Sequence, residues 1–461
     1  MNRRFYRALM LSSAFFHTFR NVRYHGVPVA RAMFYSFHRR VMLGSKKGIG
    51  KRKMKISKKR LYNWMIRSDK VTPVPYRKPK QRGKIIFSPE AASGLPISRT
   101  TSLICAVGKH DRKKERRAPV AVPSQMVGLN YKQYAALRRK IIAIARKKST
   151  PAYFRNKLFI KWMLKELKTV MKTIDGIRRL FANHSIRAIV LHSSVHPLGY
   201  LLVHMGRQRG IPTIILQYGL NDHYQLFSTY ARYYVAWGPF HKKRLTQYGV
   251  PSRKIVTLGN ARFDPIFKKK WVNKRKLARI LRISRRKWLF VYPEQPLPLK
   301  KNRKVLRMLI KALQPYRRKV MLLVKPHPRQ RKLSFPRRRL KRYRFIRVVR
   351  HPHLYHLIHG SNAVFVQFST VGVEAILMNR PVIALVMFKN TVKHEHTYYS
   401  ASRHITSAKG QKQLNKIVRR FVLSSRFRKN MLLKQRYYRK GTYSGKLAAR
   451  RIYNFIKARC R

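Results

Sequence analysis

The sequence predicts an α/β protein built from parallel βαβ units, on three observations. Short apolar runs at 188–192, 211–216, 288–292, 320–324 and 382–386 have the composition of strands buried on both faces. Between such runs, apolar residues recur at helical spacing, as in Leu198, Leu201, Leu202 and Met205. The junctions carry residues that end helices: Gly210, Gly249, Asn379 and Pro381. Strand, helix and strand in alternation give a parallel sheet with helices on its faces.

Taken in order, residues 1–80 mix aromatics (Phe5, Tyr6, Phe15, Phe16, Phe19, Phe34, Tyr35, Phe37) with Arg3, Arg4, Arg7, Arg39 and Arg40. That mixture suits an interfacial helix or a stacking and phosphate-binding surface, and equally an ordinary helical subdomain with a basic solvated face. Residues 46–60 are mostly Lys, Arg, Gly and Ser and predict a flexible basic linker. Lys84 to Ser88 is the first strand of the α/β core, and amphipathic helices follow near 131–148 and 155–183. The strand 188–192 ends at His192, a helix and the strand 211–216 complete a βαβ unit, and Gln217-Tyr218-Gly219 turns away from the last strand's end. Further strands are expected at 232–236 and 254–258, with Pro239 at a first helical position between them and Gly259-Asn260-Ala261-Arg262-Phe263-Asp264 after them.

After a basic connector, the strand 288–292 opens a second α/β domain and carries Pro293-Glu294-Gln295 at its carboxyl end. The strand 320–324 leads into Lys325-Pro326-His327-Pro328, where each basic residue precedes proline and is biased to extended backbone. Gln367 to Val386 then reads as strand end, phosphate-sized turn, short helix and strand: Ser369 and Thr370 suit the helix N-cap, and the helix runs from Val371 to Met378. In a parallel sheet such a helix N-terminus opens at the carboxyl edge of the strands and favours an anion. Glu374 lies four residues past Thr370, one more than a capping box requires. It either complements the helix dipole or accepts hydrogen bonds from a bound polyol such as ribose.

The chain of 461 residues is 44% hydrophobic, enough for two or three packed domains. It holds 110 Lys+Arg against 11 Asp+Glu, a net charge of +99. A charge of that size points to polyanionic partners: an acidic glycan or phosphate polymer, an anionic membrane surface, or nucleic acid. Its spread over the whole length argues against a dedicated nucleic-acid module, which would concentrate it in a patch or arm. Cys105 and Cys460 form no disulfide framework and no metal constellation, and no Asp-x-Asp or His/Asp cluster offers Mg²⁺ a site. No segment has the length and apolarity of a membrane span. The expected location is the cytoplasm, or the inner face of the membrane.

The segment Ser369 to Ile383 together with Val324 to Pro328 resembles nucleotide-dependent glycosyltransferases of the two-domain GT-B type. The pattern is most similar to bacterial capsule-polysaccharide, sialyl- and Kdo-transferases and to CDP-glycerol glycerophosphotransferases. The resemblance runs from about Lys84 to the C-terminus. It implies two Rossmann-like domains facing across a cleft, with a basic N-terminal extension: extension 1–80, acceptor domain 81–270, nucleotide-donor domain 285–437 and closing helix 438–461. It implies transfer of a sugar or polyol phosphate from a nucleotide-sugar or CDP-polyol donor to an anionic glycan or lipid-linked acceptor, with no cofactor and no obligatory metal. Donor binding then falls to Lys325, Ser369, Thr370, Glu374 and Gln295, with His327 stabilising the leaving phosphate; Gln217, Tyr218 and His192 line the acceptor side. For the general base, Asp222 ranks first, Glu294 second and His192 third. The chain departs from the pattern at Tyr218, where the family has histidine, and at Asn362, Gln367 and Ser444-Gly445, where acids are expected. Two rival readings are a sugar-nucleotide 2-epimerase, which asks for more carboxylates in the cleft, and a non-enzymatic polyanion-binding protein on a vestigial GT-B frame.

Overall fold

A computed structural model describes residues 3–43, 73, 83–107, 117–217, 219–220, 231–247, 249–268, 270–295, 298–328, 335, 340, 342–367, 369–387 and 402–460. The chain forms two compact units, Met1–Arg262 with Leu447–Arg461, and Phe263–Lys446. The expected linker at 46–60 lies outside the described residues.

Fifteen strands follow one another in the described chain. A two-residue hairpin pairs β1 (Arg23–Tyr24) with β2 (Val27–Pro28). The first unit's sheet contains β3 (Lys84–Phe87), β4 (Ser102–Cys105), β5 (Val120–Ala121), β6 (Ile186–Leu191), β7 (Thr213–Leu216), β8 (Tyr233–Ala236) and β9 (Ile255–Thr257). All pair in parallel, in the order β5-β4-β3-β6-β7-β8-β9. The second sheet contains β10 (Trp288–Pro293), β11 (Val320–Lys325), β12 (Ile346–Val348), β13 (Ala363–Val366), β14 (Val382–Leu385) and β15 (Thr406–Ala408). It is also all parallel, in the order β12-β11-β10-β13-β14-β15. Each sheet therefore winds outward from its first strand in one direction and then in the other. The reversal falls between β3 and β6 in the first unit and between β10 and β13 in the second. Strands that part there leave a crevice at their carboxyl ends, the usual ligand position in an open α/β sheet. The central strands are buried apart from half-buried Lys84, Arg187 and Trp288 at or near their amino ends, as helices on both faces require.

Residues 3–43 belong to the first unit's packing. Phe15, Phe19 and Phe37 are fully buried and meet Phe154 and Phe159 edge-on or tilted at 5.8–6.2 Å between ring centroids. These rings are core, and so they are not a stacking surface for bases or lipid. Arg31 shows how arginine is admitted: it is 4% exposed with its guanidinium 4.2 Å over the Phe16 ring. The chain's last helix, Ala448–Arg459, returns to the first unit, where Ala448, Ile452 and Ile456 join the cluster of Phe87, Ala188 and Ile214. Arg187 donates to the carbonyl of Cys460 at 2.9 Å, which fastens its end. The predicted closing segment 438–461 is thus two pieces, the end of a second-unit helix (Ser425–Thr442) and this first-unit helix, separated by left-handed turns at Gly445 and Leu447. No helix among the described residues is long and apolar enough to cross a membrane.

Candidate functional site

The first unit's crevice is assembled by Ser88, Glu90 and His192. Ser88 directly follows β3, and His192 directly follows β6, the two strands at the reversal. Ser88 Oγ accepts from the His192 backbone N–H at 3.1 Å and from Ala91 N–H at 3.4 Å. One hydroxyl thereby caps the short helix Pro89–Ala92 and ties the two strand ends together. Pro89 at the first helical position fixes the turn and places Glu90 in it.

His192 Nδ1 stands 3.0 Å from Glu90 Oε2 and 2.9 Å from Ser88 Oγ. Burial pushes the Glu90 carboxyl up, but the hydrogen bond and charge of His192, its own backbone N–H and His196 outweigh this and hold it below the usual range. An ionised carboxylate only accepts, so Nδ1 carries a proton, and in the neutral ring Nε2 is then the lone-pair nitrogen. A carboxylate on one ring nitrogen and a lone pair on the other is the arrangement of an oriented general base. The ring and the carboxylate are 24% and 40% exposed, so solutes reach them. They line a cavity of about 240 Å³ with Ser193, His196 and Cys105. Burial first, and then the charge of His192, lowers the pKa of His196, against the pull of Glu90. Cys105 is an inert wall, its thiol pushed up to about 12 by burial. Gly199 lets the helix Pro197–Gln208 approach this loop: a Cβ there would lie 2.3 Å from the Ser193 carbonyl oxygen.

Gln217 follows β7, and its polar groups are engaged within the unit. The amide nitrogen donates to Gly219 O at 3.0 Å and meets His241 Nδ1 at 2.8 Å, and the amide oxygen accepts from Trp237 N–H at 3.0 Å. Its backbone carbonyl accepts from Trp237 Nε1 at 2.6 Å and from Asn260 Nδ2 at 3.0 Å. Asn260 Oδ1 in turn accepts from Arg262 N–H at 2.9 Å. Two turns that the sequence singles out are thus locked to one another. Tyr218 and Asp222 lie outside the described residues.

In the second unit, Glu294 and Gln295 follow β10, Lys325 ends β11, His327 lies two residues on, and Gln367, Ser369 and Thr370 follow β13. All therefore stand at carboxyl strand ends of one sheet. Gln367 donates to the Tyr292 hydroxyl at 2.9 Å, and Asn302 donates to the Gln295 carbonyl at 2.8 Å. Burial and then the Glu294 charge push the Tyr292 phenol up, so it stays protonated beside that carboxyl. Lys325 is used locally: its ammonium donates to the carbonyls of Arg350 and, at 3.1 Å, Pro352. Its pKa is lowered by burial and by the charge of Arg350. The helix Val371–Leu377 starts with Thr370 in helical backbone and without a side-chain cap bond; Ser369 Oγ instead accepts from Val371 N–H at 3.2 Å. Glu374 is 1% exposed. Asn379 has the predicted left-handed backbone, φ 56°. Among the described residues, no group of three or more His, Cys, Asp or Glu is placed to hold a metal ion.

Two candidate site residues escape a reading of the sequence: Ser88 and Glu90. The signal was there, because Ser-Pro-Glu after a strand is a helix start and Glu90 is one of only 11 acids.

No protein-family model matches the chain, and no curated protein matches it in sequence. Solved structures do. A glycosyltransferase from Rickettsia africae superposes with a TM-score of 0.53 at 11% identity, over 83% of this chain and 100% of that one. The UDP-GlcNAc 2-epimerase of Neisseria meningitidis bound to UDP-GlcNAc gives 0.52 at 11% identity, over 81% and 99%. HepE of Anabaena in complex with UDP gives 0.51 at 11% identity, over 81% and 100%. At such identities the likeness shows the fold: two Rossmann-like parallel α/β units of the GT-B type.

Proposed function

We propose that this protein is a sugar-nucleotide enzyme of the transferase type, in which His192, oriented by Glu90, deprotonates the acceptor. The observation that carries the proposal is the Ser88–Glu90–His192 constellation at the reversal of the first sheet. The acceptor hydroxyl gives its proton to His192 Nε2, and its oxygen forms the new bond to the donor's reacting carbon, or to its phosphorus for a polyol phosphate. The bond to the nucleotide breaks with its electron pair on the departing phosphate. In the second unit, His327 and the Ser369-Thr370 turn meet that growing charge, a stabilisation that matters most in the transition state. Glu374, behind the same turn, binds the ribose hydroxyls. Lys325, committed to two backbone carbonyls, supports the neighbouring loop and adds positive potential. Nothing in this scheme calls on a cofactor.

The acceptor is a growing anionic surface glycan or its lipid-linked precursor, and the charge of +99 favours such partners. Uridine nucleotide-sugars head the donor panel because proteins of similar fold were solved with UDP and UDP-GlcNAc. The test is nucleotide release from a panel of activated donors, with and without acidic glycan acceptors. Acceptor-dependent release supports the transferase. Conversion of the sugar without any acceptor replaces it with an epimerase, and no turnover of any donor leaves a polyanion-binding protein. Glu374→Gln is expected to weaken nucleotide binding by about 1–3 kcal/mol while the fold persists, the range for losing a charged hydrogen-bond partner. Unchanged affinity in a nucleotide titration removes Glu374 from the site.

A further inference from the structure

A second cavity, of about 690 Å³, lies in the first unit at the edge opposite the Ser88–Glu90–His192 crevice. Its walls come from the β1–β2 hairpin, the start of the helix Tyr131–Arg146, the last turns of the helix Lys157–Asn183, and Arg209 after the helix Pro197–Gln208. The last two helices lead into the amino ends of β6 and β7, which fixes the edge.

The cavity is organised around Asp175. The Tyr24 hydroxyl donates to Asp175 Oδ2 at 2.6 Å, while His25 Nε2 lies 3.3 Å and Arg178 Nη1 3.7 Å from Oδ1. Arg178 Nη1 also meets His25 Nε2 at 2.8 Å. His25 and Gly26 both have positive φ, 46° and 75°, as a tight hairpin turn requires, so the backbone holds the imidazole in place. Arg179 donates to the Met126 carbonyl at 3.1 Å; Arg209 donates to the Met205 carbonyl at 3.2 Å and lies 5.0 Å over the Phe181 ring. Three guanidiniums from two separate helix ends thus border one space against a single carboxylate whose oxygens already have partners. The space is in the range of a small-molecule site.

We propose that this cavity binds a phosphoryl-bearing anion, gripped by Arg178, Arg179 and Arg209, with Asn130 and Gln133 beside them for its hydroxyls or remaining oxygens. A carboxylate offers two oxygens and matches one guanidinium fork; a phosphoryl group offers three or more and engages several forks at once. Its source is either a free phosphate or a sugar phosphate.

The test is calorimetric titration of the full chain with inorganic pyrophosphate and, separately, glucose 1-phosphate. It is run at about 0.15 M salt, where exposed charges beyond roughly 8 Å are screened. Saturable binding should weaken at least about tenfold in the Arg178→Gln/Arg209→Gln variant, since each lost charged hydrogen bond is worth that much or more. The exposed pair Arg285→Gln/Arg286→Gln removes the same charge from the second unit and should change affinity less than about twofold. Arg178→Lys keeps charge and fold but not the fork, and should also weaken binding. Tighter binding of glucose 1-phosphate than of pyrophosphate assigns a sugar phosphate; the reverse order assigns a free phosphate. Binding at the second unit's nucleotide turn is blind to the first-unit substitutions. Absence of saturable binding, indifference to Arg178 and Arg209, or an equal loss in the control pair overturns the proposal.

Discussion

Replacing His192 by alanine is expected to lower the rate of transfer by on the order of 10² to 10⁴, the usual contribution of one positioned base. Binding of the donor nucleotide should stay near normal, because the residues assigned to it lie in the other unit. The loss therefore falls on turnover, as it does for a group that acts in the transition state. Glu90→Gln tests the orientation. It keeps the shape at Nδ1 but removes the charge and allows the ring to take its other tautomer, so the rate should fall less than in His192→Ala. The loss should fall on turnover, with donor binding near normal, as for a group that positions the base. A Glu90 that only supports the fold would lower stability and leave the turnover of the folded variant near normal. Near-normal turnover by a folded His192→Ala protein would return the role of base to Asp222 or Glu294.

The frame of both sheets is legible in the sequence because their central strands are buried on both faces and read as unbroken apolar runs. The predicted 188–192, 288–292 and 320–324 correspond to β6, β10 and β11, within two residues at each end. Edge strands such as β5 and β15 have two and three residues, too few to show a period. The site divides along the same line. His327, Ser369 and Glu294 stand out because each follows a readable strand. The pairing of Glu90 with His192 depends on β3 lying beside β6, a neighbourhood between residues about a hundred apart that no local pattern encodes. Gln217 is the converse case: its turn is conspicuous, yet its hydrogen bonds to Trp237, His241 and Gly219 are internal and appear only once β7 and β8 are side by side. The aromatics of residues 3–43 alternate with arginine and cannot be assigned to core or surface by period, since arginine stems also cover apolar rings.

Acid is expected to destabilise the first unit chiefly through His241. The ring is fully buried, and burial with the nearby Arg244 charge lowers its pKa from 6.5 to about 3. Neutral, it takes a hydrogen bond from Gln217 at Nδ1 and packs against Trp237 at 5.1 Å. In the unfolded chain the same ring takes up a proton as pH falls through 6.5, whereas the folded ring does so only near 3. Between those values the unfolded state holds more protons, so stability is complete above pH 6.5 and declines as pH falls. The decline is about 1.4 kcal/mol per pH unit and roughly 5 kcal/mol over the interval. Carboxylates, the usual agents of acid unfolding, number only 11 in this chain with Asp and Glu together, and Lys and Arg do not titrate in this range. His196, also lowered, adds a share in the same direction. His241→Asn offers an amide oxygen to Gln217 and has no proton to gain. It should be less stable at neutral pH for want of packing, yet its denaturant-unfolding free energy should fall less steeply with acid. The difference from the unaltered protein should shrink by about 1.4 kcal/mol per unit between roughly pH 5.5 and 4. Curves that run parallel over that interval would show that His241 titrates alike folded and unfolded, and that the Gln217–Trp237–His241 lock does not hold the ring neutral.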